Sequence, residues 1–530
     1  MGWPGRGAAL LAALPLIAGC SVISPWAEAD PGHGNGAPEG SAAEIPEDCD
    51  VAEELPKRQM RGVWLTTVRN IDWPSKSGLG KDRQQEELRT QLDRAAELGL
   101  NAVFFHVRPT ADAVYASAKE PWARYLTGKQ GGDPGYDPLA FAIEEAHARG
   151  LELHAWFNPY RVGWRDPDLE NLAEDHPARE HPDWLVEYDD QGYLDPGNPD
   201  VRAWVGDVVL DVVDRYDIDG VHFDDYFYPY PAEGEEFDDD ASWQKYGSDF
   251  DDRGDWRRDN VNTLIADIHG RINEAKPWVR FGVSPFGIWR NKDSDGSGSD
   301  TGGLESYDAQ YADTRAWIEE GTVDYVVPQL YWPRGLEIAD YETLVPWWAD
   351  QVAGTDVDLY IGQAAYQVGE DGWKGDDALT RQLDFNTGSP KVTGDLYFSM
   401  KDLSGRASEA MDRVVEKYYR RPALPPRADG AKGAPDPVGN LSAKRDSGEV
   451  RLEWDSVEGA RFYAVYRIPG DGADLCDLAD AAHLLAVVGA EDTAFTDTQP
   501  ADELVGYRVT ALDGYRTEGA PSPPAAVQAP

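Results

Sequence analysis

The chain has 530 residues and carries 97 acidic against 49 basic side chains, a net charge of −48. That length predicts two or three domains, and 41% hydrophobic residues with 19 Trp supply a large core, which excludes global disorder. So acidic a chain excludes nucleic acid as a partner, since phosphate binding needs a basic face, and suits a soluble protein in a salty or exposed setting.

In chain order, Arg6, the apolar run from Ala8 to Ala18 and the closing Ile17-Ala-Gly-Cys20 read as an export signal. The run is too short to span a bilayer, which takes about 20 apolar residues. Its ending resembles the bacterial lipobox, whose Cys becomes the lipidated first residue of the mature protein. Residues 1–20 are therefore expected to be a lipoprotein signal, with Cys20 the lipidation site. The expected location is outside the cytoplasmic membrane, with the lipid as the only membrane contact. Residues 21–56, rich in Gly, Pro, Ala and acids without periodicity, read as a flexible tether. Cys49 and Cys476 remain, and the sequence leaves open whether an exported protein pairs them.

From residue 57, β-branched and aromatic runs alternate with amphipathic stretches. Strands are predicted at 60–68, 102–107, 151–157, 218–223, 280–284, 325–330, 359–364 and 396–399. Helices are predicted at 83–98, 138–149, 199–216, 260–275, 307–320 and 341–351. Eight strands with helical crossovers predict a (β/α)8 barrel over residues 57–420, an α/β fold. No Gly-x-Gly-x-x-Gly turn follows the first strand, so no dinucleotide cofactor is expected. Residues 421–437, rich in Pro, Ala and Gly, read as a linker. Short alternating runs at 450–454, 462–467, 484–488, 494–496 and 506–511 predict a small antiparallel sandwich over 438–530. The placement of its Trp454, Tyr463 and Tyr507 resembles fibronectin type III modules, which space or bind.

Barrel enzymes work at the carboxyl ends of their strands, and the polar residues of interest fall there. His106 and Arg108 follow the second strand, and Asn158, Tyr160 and Arg161 the third. His222, Asp224, Asp225 and Tyr226 end the fourth, Gln329, Tyr331 and Trp332 the sixth, and Gln363 lies on the seventh. Paired carboxylates among aromatic platforms suit glycoside hydrolysis, whose transition state is cationic at the anomeric carbon. No zinc motif, serine elbow or complete calcium loop appears, so no metal or other cofactor is expected.

Longer motifs carry a resemblance. Met60-Arg-Gly-Val-Trp-Leu65, Arg108-Pro-Thr-Ala-Asp-Ala113, Glu120-Pro-Trp122, Leu126-Thr-Gly128, Trp156-Phe-Asn-Pro-Tyr-Arg161, Asp219-Gly-Val-His-Phe-Asp-Asp-Tyr-Phe-Tyr-Pro229 and Pro328-Gln-Leu-Tyr-Trp332 resemble the bacterial glycosyl hydrolase-like family 10. The resemblance implies a barrel glycosidase acting on cell-wall glycan, peptidoglycan strands foremost. Unlike chitinase-like enzymes, the chain has Tyr226 where their fourth strand ends in an acidic Glu. Unlike α-amylase-like enzymes, its fifth strand offers no acid. Asp224 is therefore expected as nucleophile or base, Asp225 as a second acid tuning its neighbour, and Glu120, extended before Pro121, as general acid. His106, Arg108, Asn158, Tyr160, His222, Tyr226, Gln329, Tyr331, Trp332 and Gln363 are expected to bind the glycan. The alternative is a carbohydrate-binding or scaffolding lipoprotein on a barrel without catalysis.

Overall fold

The computed structural model describes Cys49 and residues 55–164, 172–431 and 433–528. The expected signal, the expected lipidation site Cys20 and nearly all of the expected tether lie outside the described residues.

Eight parallel strands close into a barrel: β1 (Met60–Leu65), β2 (Ala102–Arg108), β3 (Glu152–Phe157), β4 (Gly220–Phe223), β5 (Arg280–Val283), β6 (Tyr325–Val326), β7 (Asp358–Gln363) and β8 (Val392–Tyr397). Each pairs with its chain neighbours, and β1 closes on β8 with Met60 opposite Gly394. The expected barrel is there. Alternation along each strand sorts the side chains into two layers. Val63, Phe105, Leu153, Val221 and Phe223 point outward under the helices, while Met60, Trp64, Phe104, Trp156, Tyr325 and Tyr360 fill the interior. Helices start where the sequence supplies caps: the Asp137 and Asn198 side chains accept from Ala140 N and Asp200 N, each followed by Pro at the first helical position. The predicted helix at 307–320 is two pieces, Ser306–Ala309 and Thr314–Glu320. A small antiparallel sheet of Arg161–Trp164, Leu185–Tyr188 and Gln191–Leu194, unforeseen in the sequence, stands over the third strand.

At the carboxyl terminus the chain forms a three-stranded antiparallel sheet, β9 (Ser442–Asp446), β10 (Glu449–Glu453) and β13 (Ala494–Asp497), and a four-stranded one. The latter comprises β11 (Phe462–Pro469), β12 (Leu484–Gly489), β14 (Val505–Leu512) and β15 (Ala525–Val527). Val450, Leu452, Trp454, Tyr463 and Tyr507 share the core of this module.

Barrel and module belong to one compact unit, and the contact lies at the amino-terminal foot of the barrel. Arg461 Nε donates to Asp219 Oδ1 at 2.5 Å and its NH1 to Asp217 at 2.7 Å. Arg516 pairs with Glu152 at the start of β3 and donates to the Asp219 and Trp278 carbonyls at 3.1 and 2.9 Å. Backbone meets backbone here: a Cβ on Gly150 would lie 2.4 Å from Val487 O, and one on Gly489 2.4 Å from His147 O. Cys49 and Cys476, left open by the sequence, form a disulfide.

Candidate active site

The other end of the barrel opens into a cavity of about 250 Å³ lined by Trp64, His106, Trp156, Arg161, Asp224, Asp225, Tyr226, Tyr230, Ser284, Gln329, Tyr331 and Tyr366, among others. It exists because β4 stops at Phe223. Released from the pleat, Asp224 and Asp225 both face the cavity, although strict alternation would have turned Asp225 away.

Asp224 is held from one side. Trp156 Nε1 donates to Oδ2 at 3.2 Å, and Asn158 Nδ2 donates to both oxygens at 3.2 and 3.1 Å. Burial pushes its carboxyl up to about 7, with help from Asp225 and against the Arg161 guanidinium. Its proton is therefore held more tightly than that of an ordinary aspartic acid. Asp225 is also raised by burial, partly offset by the Tyr230 hydroxyl and Gln310 Nε2, which donate to it. Arg161 lies over the Tyr226 ring, 4.0 Å from its centroid. The His106 ring stacks on Trp156 at 3.8 Å. Neither of its nitrogens has a hydrogen-bond partner among the described residues, and burial with Arg161 nearby keeps it neutral.

Of the residues expected from the sequence, Asp224, Asp225, Tyr226, His106, Gln329 and Tyr331 line this cavity. Asn158 reaches it through Asp224. His222 lies directly beneath, accepting from Trp64 Nε1 at 3.2 Å. Four are elsewhere. Tyr160 is buried in the outer core. Gln363 is tied to Tyr341 and Asp395 at 2.9 and 2.8 Å. Trp332 stands edge-on to Phe286 at 5.4 Å, and Arg108 is wholly enclosed.

Glu120 is the main correction. Its carboxylate forms a two-pronged ion pair with Arg108, Nε at 2.8 Å and NH2 at 2.5 Å, with both side chains at 0% exposure, and it also accepts from Trp204 Nε1 at 3.2 Å. A carboxylate so paired has no path to a leaving group. Its work is structural: the same Arg108 donates to the Asn158 and Pro159 carbonyls at 2.7 and 2.9 Å and so sets the loop that grips Asp224. Trp64, Trp156, Ser284, Tyr230 and Gln310 were not singled out. Trp64 and Trp156 lie inside the quoted motifs, a usable signal; Gln310, in the loop before Thr314–Glu320, gave none.

The model of the family described as glycosyl hydrolase-like 10 matches residues 59–378, spanning β1 to β7 and every lining residue of the cavity but Phe398. The chain belongs to this family. Its relatives include the glycosyl hydrolase YngK of Bacillus subtilis, 46% identical over 78% of this chain and 83% of that one. Glycosyl hydrolase DigH of Escherichia coli is 40% identical over 74% of this chain and 92% of that one. Among solved structures, the glycoside hydrolase domain of PgaB from Bordetella bronchiseptica is similar at 13% identity and TM-score 0.45, over 67% of this chain and 98% of that one. A member of glycosyl hydrolase-like 10 with relatives of these names is a glycosidase, and the alternative of a barrel without catalysis falls away.

Proposed function

We propose that this glycosidase cleaves the N-acetylated glycan strands of the bacterial cell wall. One observation carries the reading: among the described residues lining the cavity, the only acids are Asp224 and Asp225, neighbours at a single strand end. Glycosidases that use two protein carboxylates set them on opposite sides of the scissile bond, roughly 5–9.5 Å apart. Among the described lining residues nothing acidic stands opposite. A sugar with a 2-acetamido group brings its own nucleophile, the amide oxygen, which attacks the anomeric carbon as the bond to the leaving oxygen breaks.

The roles then follow from the surroundings. Asp224, proton-bearing near neutrality, protonates the leaving oxygen and afterwards takes a proton from the water that opens the cyclic intermediate. Asp225, fixed by Tyr230 and Gln310, accepts the acetamido N–H and turns the amide oxygen toward the anomeric carbon. Trp64, Trp156, Tyr226 and Tyr331 supply apolar faces for the ring. Arg69 and Arg161 add two cations to the wall in a strongly acidic protein, which suits the carboxylate of a muramic sugar.

The test is release of reducing ends from peptide-stripped glycan strands, together with inhibition by a thiazoline that mimics the cyclic intermediate. Hydrolysis of neutral hexose polymers with no action on N-acetylated ones would sink the substrate. The cellular setting is part of the proposal. Because Ile17-Ala-Gly-Cys20 closes the apolar run, the wild-type protein should fractionate with membranes and Cys20→Ser should not; membrane retention of Cys20→Ser would refute lipid anchoring.

A further inference from the structure

A second cavity, of about 750 Å³, opens beside the catalytic one. Three segments serve both. After β4, Asp225, Tyr226 and Tyr230 line the catalytic cavity, while Tyr228, Pro229 and Pro231 line the second. After β5, Gln310 Nε2 donates to the Asp225 carbonyl at 2.8 Å and to its carboxylate at 3.4 Å. Ala309 and Tyr311, on either side of Gln310, line the second cavity. In the small sheet over β3, Arg161 lines the first and Tyr188 the second. Successive Cα atoms stand about 3.8 Å apart, so at these segments little more than one backbone divides the two. Arg253 and Arg257 complete the wall from the first turns of helix Arg253–Ala275, which leads from the mouth back down to β5. Both cavities therefore open at the carboxyl ends of the strands, where barrel enzymes bind their substrates.

Arg257 ties the second cavity's walls together. Its Nε and NH2 donate to the buried Asp239 carboxylate at 2.8 and 2.6 Å, NH2 also to the Phe237 carbonyl at 3.0 Å, and NH1 to the Tyr311 hydroxyl at 2.9 Å. The guanidinium lies over the Tyr228 and Tyr311 rings, 5.3 and 5.0 Å from their centroids. These contacts hold Tyr311 at a φ of 54°, a left-handed conformation that a bulky residue keeps only where its surroundings impose it. A wall fixed in this way is set before any ligand arrives. Its volume falls within the roughly 300–1,000 Å³ of small-molecule sites, a range the catalytic cavity, at about 250 Å³, does not reach. The catalytic cavity holds little beyond the reacting sugar, and a glycan strand must continue outside it.

We propose that the second cavity is a subsite for the same glycan strand and, resting on the wall-glycan reading, takes a hexosamine unit that lacks a carboxylate. The lining selects the unit. It carries five acids, among them Glu235, Asp238 and Asp308, against Arg253 and Arg257, and both arginines are already paired, with Asp239 and Asp240. A muramic carboxylate is repelled there. An N-acetylglucosamine unit is not: its hydroxyls donate to the rim carboxylates, and its apolar ring face packs on the rings of Tyr188, Phe237 and Tyr311. The catalytic cavity offers the cations Arg69 and Arg161 instead. The two cavities thus sort the carboxylate-bearing and carboxylate-free units of a mixed strand.

The experiment fills the second cavity from two different segments of the full-length protein, with Ala309→Trp and Glu236→Trp. The wild type should bind an N-acetylglucosamine tetramer in a calorimetric titration, and each variant should weaken that binding about tenfold. On peptide-stripped strands, kcat/KM of the wild type should rise about tenfold from tetrasaccharide to octasaccharide, and both variants should lose this preference for length. Glu235→Lys, which reverses a charge on the rim, should tighten binding of muramic-containing strands and not of the N-acetylglucosamine tetramer. Unchanged tetramer binding and length preference in both folded Trp variants would overturn the proposal, as would a wild type that does not bind the tetramer. No gain for muramic strands in Glu235→Lys would overturn the selection by charge. Tetramer binding that the Trp variants weaken, without cleavage of peptide-stripped strands, would count against the wall substrate alone.

Discussion

The two ends of the barrel hold the same kind of residue in opposite states. At the mouth, Asp224 and Asp225 are buried among hydrogen-bond donors, and both titrate above the ordinary range. At the foot, burial is just as complete, yet Arg461, His147 and Arg516 hold Asp219 well below its ordinary value, and Arg516 lowers Glu152. Desolvation is common to both ends. The number of cations in contact decides the outcome. A carboxylate meant to carry a proton is left short of cations, and one meant to hold a module in place is supplied with them.

The largest expected effect breaks the mouth. Asp224→Asn should lower turnover 10²–10⁴-fold, the usual scale for a lost acid–base group, with the folded state kept; near-normal release of reducing ends would refute its role. Next comes the foot. Asp219→Asn leaves Arg461 and Arg516 buried without their shared partner and should cost about 3–5 kcal/mol of stability in denaturant unfolding. Turnover at temperatures where the variant stays folded should fall far less than in Asp224→Asn. Glu120→Gln belongs with the foot despite lying nearer the mouth: it weakens the pair with Arg108, so unfolding should shift more than the pH profile of turnover.

Acid–base linkage sharpens the same contrast. Asp224 binds its proton more tightly folded than unfolded, so the stability it lends is full below pH 4 and is lost as pH rises toward about 7. Asp219 has the opposite sign: its contribution is present above pH 4 and is lost as pH falls through its depressed folded value. Stability curves should therefore flatten between pH 4 and 7 in Asp224→Asn, and on the acid side below pH 4 in Asp219→Asn. The smallest effect is at Tyr230, whose hydroxyl is one of several groups holding Asp225. Tyr230→Phe should cost less than tenfold in turnover.

The barrel was legible because its signals are local. Outward residues such as Val103, Phe105, Val221 and Phe223 give each strand its period, and Asp137-Pro138 and Asn198-Pro199 mark helix starts. The mouth was half legible for the same reason, since Asp224, Asp225 and Tyr226 lie on one strand end. Glu120 misled because Pro121 and Trp122 describe its backbone and not its partner: Arg108 meets it across a loop. The foot was illegible. Asp219 was visible only as the first residue of the Asp219–Pro229 motif, and Glu152 and His154 looked like ordinary strand residues. Their partners Arg461 and Arg516 stand more than 240 residues away in sequence. Four-residue strands such as Leu185–Tyr188 carry too few alternations to register.

The disulfide between Cys49 and Cys476 turns the intervening chain into a covalent ring with a separation of 427 residues. Tension applied ahead of Cys49 therefore need not pass through β1. When the chain is pulled between its two ends, the load crosses the sulfur bridge directly into the module, and the barrel lies in the loop that the bridge closes off.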